Sequence, residues 1–304
     1  MEKFLHVDEL VQKAITGGKP VVALESTIVS HGMPFPQNMN TALEVEDIIK
    51  KSDAIPATIG VIEGRLIVGL SKLQIEEIAT NPKVIKMSKS NLYSGLIRKA
   101  TGSTTVASTL EACKKAKIEF FATGGIGGIH RNVDELDISA DLFELAQGNC
   151  TVVCSGPKAI LDIPKTIETL EALGVPVITY KTSEIPSFWS QSSGIPSSLI
   201  SENAGEIAKM HNLKKEMKSI GCQLVLNPIK SQFQIDREEI EPIICDALEH
   251  SKKKNVKGRD ITPFLLQRIK YITRGKSLQA NIELIKSNAA LAAKIAKKAC
   301  KKTI

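Results

Sequence analysis

A lysine stands at position 158, at the end of "CTVVCSGPK" (150–158), where an ammonium group is unwelcome. Residues 151–154 read as a short buried strand and Ser155-Gly156 as its tight exit. Pro157 reads as the first residue of a helix, because its fixed φ suits that position and its missing N–H costs nothing there. Lys158 then falls in the first helical turn, where the helix dipole and burial beside an apolar strand both favour the neutral amine. A neutral amine is a nucleophile; the plainer alternative is a side chain that runs over Pro157 and carries its charge to water. Glu25 poses a matching question, because it closes the apolar run "VVAL" (21–24), where an unpaired carboxylate is costly. Either neighbouring N–H groups satisfy it, or it keeps its proton and serves as a donor.

Two further stretches bear on chemistry. "DELDISADLFEL" (134–145) puts Asp137 and Asp141 four residues apart, one helical turn, so both can face one side. Such a pair either caps a helix and complements its dipole or holds a hard divalent cation. "TGGIGGIHR" (123–131) follows an apolar strand, and its exposed N–H groups suit a phosphate or carboxylate, although a tight turn explains the glycines equally well. His130 within it is either a ligand or an ordinary loop residue. The dinucleotide fingerprint is excluded by spacing.

These residues need a scaffold, and the apolar runs provide one. Strand-like segments recur at 21–27, 58–70, 118–125, 150–156, 175–182 and 222–229, separated by stretches of helical period such as 104–116, 138–148 and 157–174. Alternation of this kind predicts an α/β fold with helices on both faces of the sheet. "VIEGRLIVG" reads as a hairpin turning at Glu63-Gly64, which makes the sheet mixed. Beyond residue 230 the pattern is helical, with Thr262 as a cap and Pro263 at the first helical position. No linker or repeat interrupts residues 1–304, which read as one domain.

With 304 residues and 42% hydrophobic content the chain can bury a large core. No apolar run approaches the roughly 20 residues that span a bilayer, and the first residues lack a signal-peptide pattern, so an intracellular, cytoplasmic protein is expected. The six cysteines show no metal-ligand spacing and are expected as free thiols. A net charge of +7 suggests nucleic acid, but the lysines cluster on solvated helical faces and only 4% of residues are aromatic, which argues against it.

"KMSKS" (86–90) spells the ATP loop of class I aminoacyl-tRNA synthetases, an adenylate-forming family. The context refuses it: the nearest HIGH-like stretch is "HGMP" (31–34), without a second histidine, and most of the sheet still follows. The chain instead resembles the pseudouridine-5′-phosphate glycosidase family, which includes indigoidine synthase A-like proteins. The resemblance is carried by "ALESTIVSHGMP", "GSTTVASTL", "FATGGIGGIHR", "LDISADL", "VVCSGPKAILD", "LNPI", "TPFLL", "SLQANIEL" and "NAALAAKIAK", in family order from about residue 20 to 300.

The likeness implies a three-layer α/β/α fold with a mixed, mostly parallel sheet and a helical C-terminal region, assembled as a homotrimer. It implies reversible conversion of pseudouridine 5′-phosphate and water to uracil and ribose 5-phosphate, with one divalent metal, usually Mn²⁺. The proton donor then falls on Glu25, the covalent lysine on Lys158 and the metal carboxylate on Asp137. Substrate contacts fall on Lys86, Val106, Ser139, Ala140, Asp141 and Asn281. One departure is Lys89-Ser90-Asn91 where the family commonly has Arg-Arg-Asp, from which weaker oligomer or phosphate contacts are expected. A binding protein that keeps the fold without catalysis remains an alternative.

Overall fold

A computed structural model describes residues 3–131, 137–256 and 261–301. Its strands are β1 (Leu5–Val7), β2 (Val21–Leu24), β3 (Ile55–Ile62), β4 (Arg65–Val68), β5 (Ile85–Met87), β6 (Gly102–Thr104), β7 (Phe120–Ala122), β8 (Thr151–Cys154), β9 (Val177–Tyr180), β10 (Ile200–Ser201) and β11 (Gln223–Leu226). The α-helices are α1 (Glu9–Thr16), α2 (Gln37–Lys51), α3 (Lys72–Thr80), α4 (Lys89–Ile97), α5 (Val106–Ala116), α6 (Ala140–Gln147), α7 (Ile163–Ala172), α8 (Ala204–Glu216), α9 (Arg237–Lys253), α10 (Ile261–Ile272) and α11 (Lys276–Cys300).

All described strands join one sheet, whose main path runs β1-β4-β3-β2-β7-β8-β11-β9-β10, with β6 paired to β3 and β5 to β6. Every pair is parallel except β3–β4 and β3–β6. The hairpin turns at Glu63 and Gly64, both at positive φ (47° and 77°), which is the geometry a two-residue turn needs to match strand twist. Here the expected mixed sheet is present.

Alternate strand residues feed two cores. Val22, Leu24, Phe120, Ala122, Val153 and Val225 point to one side, against α2, α8, α9, α10 and α11. Val21, Ala23, Phe121, Val152, Cys154 and Leu224 point to the other, against α1, α5, α6 and α7. A strand buried on both faces reads as an unbroken apolar run, which is why β2, β7, β8 and β11 were visible in the sequence. The three-layer α/β/α arrangement and the helical region after residue 230 are both observed. No helix among the described residues is long and apolar enough to cross a membrane.

Three local expectations need correction. Pro157 does not open a helix: α7 starts at Ile163, capped by Asp162, with Pro164 in its first turn. Residues 156–161 are held instead by the glycine loop, so no helix dipole acts at Lys158. Asp137 and Asp141 do not share a helix, because Ser139 caps α6 and residue 138 pairs with Ile129 ahead of it. Finally, α10 includes Ile261, which puts Thr262 and Pro263 inside its first turn.

Candidate active site

The sheet winds from β2 to β3 on one side and returns to β7 on the other, so the crevice beyond the carboxyl ends of β2 and β7 is a topological switch point. Glu25 leaves β2 there, and Thr123-Gly124-Gly125 leave β7 beside it. The Thr123 hydroxyl donates to the Glu25 carboxylate. Lys158 arrives from β8, the next strand along.

The two exits from β7 and β8 continue as a backbone zipper past the sheet. Ser155 N donates to Gly124 O (3.0 Å), Ile126 N to Gly156 O (3.2 Å), Lys158 N to Ile126 O (3.1 Å) and Asp162 N to Ile129 O (2.8 Å). This pairing is what cancels the expected helix at Pro157. It requires glycine at 156, where φ is +98° and a Cβ would stand 2.6 Å from Pro186 O.

The remaining wall comes from β5 and β6. Thr104 N donates to Ser26 Oγ (2.9 Å), and the Thr27 hydroxyl donates to Thr104 O (2.8 Å). These bonds bring the end of β6 against the end of β2, and Lys86 in β5 with it. Lys86 then enters the site from a strand, and Ser88 caps the helix that follows. Asn91 keeps that cap: the Ser88 N–H donates to Asn91 Oδ1 (2.8 Å), while Asn91 Nδ2 donates to Lys86 O (3.1 Å). Lys89 turns away, pairing with Glu144 (2.7 Å) and Glu111 (3.6 Å). Of the two lysines in "KMSKS", only Lys86 lines the pocket.

Glu25, Lys86, Lys158 and Asn281 line one pocket, closed by Ile28, Phe188, Leu266 and Leu284. Burial raises the Glu25 pKa, against the opposing pull of Lys158 and the Thr123 hydrogen bond. Among the described residues Lys158 forms no salt bridge, and its side chain is half-buried. His130 adjoins the same field: burial lowers its pKa, Asp137 opposes that shift, and Lys158 and Lys86 reinforce it.

The other expected contacts build the frame. Asp141 is 6% exposed, and both oxygens are occupied, Oδ1 by Ala107 N (2.9 Å) and Oδ2 by Gly127 N (2.8 Å). It clamps the start of α5 to the glycine loop. Gly127 is a second position where only glycine fits, since a Cβ would lie 2.3 Å from Ser139 Oγ. Val106, 2% exposed, has a buried side chain and reaches the site region as the first residue of α5. Ser139 caps α6, which Ala140 begins. None of these four lines the pocket that holds Glu25 and Lys158.

Asp137 forms no side-chain hydrogen bond or salt bridge with a described residue. No group of three His, Cys, Asp or Glu side chains among the described residues could enclose a metal. A carboxylate with no hydrogen-bond or salt-bridge partner among the described residues fits a hard cation that keeps most of its water ligands, and does not fit one needing an all-protein cage. Thr27, Ile28, His31, Leu266 and Leu284 also line the pocket, and sequence reasoning gave none of them a role there; the apolar ones are indistinguishable in sequence from core.

A buried carboxyl group with a raised pKa, facing a lysine at the switch point of a wound sheet, is the layout of an α/β enzyme acting on a small molecule. The chain belongs to the indigoidine synthase A-like family, whose model matches residues 10–298. It is 50% identical over 293 residues to a pseudouridine-5′-phosphate glycosidase of Legionella pneumophila, covering 96% of this chain and 94% of the relative. It is 46% identical over 297 residues to one of Staphylococcus aureus, covering 97% of each. Among solved structures it resembles a prealnumycin C-glycosynthase in complex with ribulose 5-phosphate, with a TM-score of 0.90, 31% identity and coverage of 98% and 97%. An indigoidine synthase A-like protein of Thermotoga maritima superposes with a TM-score of 0.89 at 30% identity, covering 98% of this chain and 97% of that one.

Proposed function

We propose that this enzyme cleaves and forms the C–C glycosidic bond of pseudouridine 5′-phosphate, interconverting it and water with uracil and ribose 5-phosphate through an imine on Lys158. C-glycoside chemistry as a class follows from the relatives; the substrate and the covalent route are our reading. The observation that carries it is the pairing, in one pocket, of a carboxyl group with a raised pKa and an amine without a salt-bridge partner among the described residues.

A carbon leaving group cannot be released by protonating a nitrogen, so the sugar must be activated another way. Glu25 donates its proton to the ribose ring oxygen as the C1′–O4′ bond breaks, with electrons supplied by the uracil ring after loss of its N1 proton. The open-chain C1′ is then an electrophile conjugated with uracil, and the Lys158 amine adds to it. Protonation of uracil C5 allows the C1′–C5 bond to break while the nitrogen lone pair forms the C1′=N bond. Water hydrolyses that imine, frees Lys158 and releases the sugar aldehyde, which closes to ribose 5-phosphate. Lys86 meets the substrate phosphate as a point charge, with the glycine loop and the start of α5 alongside.

Asp137 would hold a Mn²⁺ or Mg²⁺ ion, which when bound supplies charge to orient the substrate. Asp137→Asn should fold normally and lose about tenfold or more in Mn²⁺ affinity, read directly by calorimetry, together with metal-dependent turnover. Unchanged Mn²⁺ binding would remove Asp137 from this role. The same reading makes the working unit an intracellular homotrimer; the apolar groove of Phe4, Leu5, Leu66, Leu92 and Leu96, with Ile97 71% exposed, is consistent with self-association.

The deciding experiment incubates the purified protein with Mn²⁺, uracil and ribose 5-phosphate and follows pseudouridine 5′-phosphate by chromatography and mass. Formation of that product is expected. No product, with ATP–pyrophosphate exchange instead, would favour an adenylate-forming enzyme, and neither reaction would leave a binding protein.

A further inference from the structure

The indole of Trp189 is buried, 1% exposed, behind the wall of the pocket, and its Nε1–H donates to Asn281 Oδ1 at 2.7 Å. An indole nitrogen can only donate, so the bond fixes which end of the Asn281 amide is oxygen. The oxygen is turned back toward Trp189. What Asn281 has left to offer the pocket is its NH₂, a donor.

The position of that donor limits what it recognises. Lys86, Lys158 and Glu25 come from strand ends and form the charged side of the pocket, suited to a sugar phosphate. Asn281 sits across from the strands on α11, in the company of Phe188, Leu266, Leu284 and Ile28. Thr27, His31 and Thr262 also line the pocket with hydrogen-bonding groups, but Asn281 is its one side-chain amide among the described residues and is held in one orientation. Set against Phe188, Leu266 and Leu284, that fixed donor suits a flat ring carrying a carbonyl oxygen better than a flexible polyol. We infer that Trp189 is a specificity-determining positioning residue: by holding Asn281 with its NH₂ toward the pocket, it selects an aglycone ring that presents a carbonyl acceptor. This rests on the C-glycosidase reading given above and deepens it.

The lock also explains why a buried tryptophan lies in a loop. Trp189 N–H finds its one partner in Asn281, and its ring packs against Phe188, with centroids 5.3 Å apart. Ile235 N in turn donates to the Trp189 carbonyl (2.9 Å), and Ser190 Oγ donates to Ile235 O (2.5 Å), so the loop carrying the indole is itself held.

Two variants test this in the synthetic direction, with KM measured separately for uracil and for ribose 5-phosphate. Trp189→Phe keeps an aromatic ring and removes only the donor. It should raise KM for uracil about tenfold and leave KM for ribose 5-phosphate within about twofold, since one hydrogen bond's orientation is lost. Asn281→Asp keeps an acceptor for Trp189 but turns an anionic oxygen to the ring carbonyl. It should weaken uracil about a hundredfold or more while borohydride still traps ribose 5-phosphate on the protein without uracil present. Unchanged KM for uracil in either folded variant, or equal losses for both substrates, overturns the inference. If Trp189→Phe does not fold, Asn281→Asp decides alone. Wild type that neither forms pseudouridine 5′-phosphate nor traps the sugar would instead overturn the underlying function.

Discussion

Lys158→Arg is expected to fold, to bind ribose 5-phosphate and to lose turnover by on the order of 10⁴-fold or more, the scale at which removal of a covalent nucleophile is felt. Arginine preserves the positive charge that faces Glu25, so the electrostatic environment of the donor changes little. A guanidinium is always protonated and offers no lone pair for addition to C1′. Loss of chemistry with retained binding therefore separates a nucleophile from a cation that merely attracts phosphate. Borohydride added with ribose 5-phosphate should reduce the imine and leave the sugar attached at residue 158 of wild type, visible by mass spectrometry of the digested protein. An adduct of equal yield in Lys158→Arg, or none in active wild type, would exclude the imine.

Much of the scaffold was legible because burial on both faces writes itself into the chain as apolar runs, and the six long runs each hold a strand or a hairpin. The strands that escaped notice, β1, β5, β6 and β10, are two or three residues long and carry no period. Glu25 was legible for a physical reason, since a carboxyl at the end of a buried strand must be either paired or protonated. Lys158 was singled out partly for a wrong one. The sequence predicts Ser155-Gly156-Pro157 as the helix start, whereas the structure starts the helix at Asp162-Ile163-Pro164, and local rules do not favour one cap-and-proline pattern over the other.

The choice is made by bonds from residues about 30 positions upstream, the glycine loop, whose pairing with 155–162 leaves only the second signal free to nucleate a helix. The partners of Asp141 were hidden for the same cause. Its partners, Ala107 N and Gly127 N, lie 34 and 14 residues away, so its role as a clamp between α5 and the loop had no local trace. What the strand-end placement of Lys158 retains, without any helix dipole, is its position beside Glu25.

Glu25→Gln should give the second large loss, about 10²- to 10⁴-fold in kcat, because the amide can accept the Thr123 hydroxyl as the carboxylate does yet has no acidic proton for the ring oxygen. Its stability should change in the opposite sense. Burial raises the folded-state pKa of Glu25 above the ordinary value of 4.5, so the native protein binds this proton more tightly than the unfolded chain. The stabilisation that the proton brings is fully present below the unfolded carboxylate pKa and is lost as pH rises through the raised folded value. Gln, neutral throughout, escapes that loss. Thermal melts should therefore place Glu25→Gln close to wild type near pH 4 and above it at pH 8, with the gap opening as the pH climbs. The activity of wild type should fall over the same interval, on a limb displaced upward from the usual carboxylate range, since only the protonated form can open the sugar ring. A melting difference that stays constant from pH 4 to 8, or a variant that keeps wild-type kcat, would mean that Glu25 is an ionised, satisfied carboxylate and that the proton comes from another group.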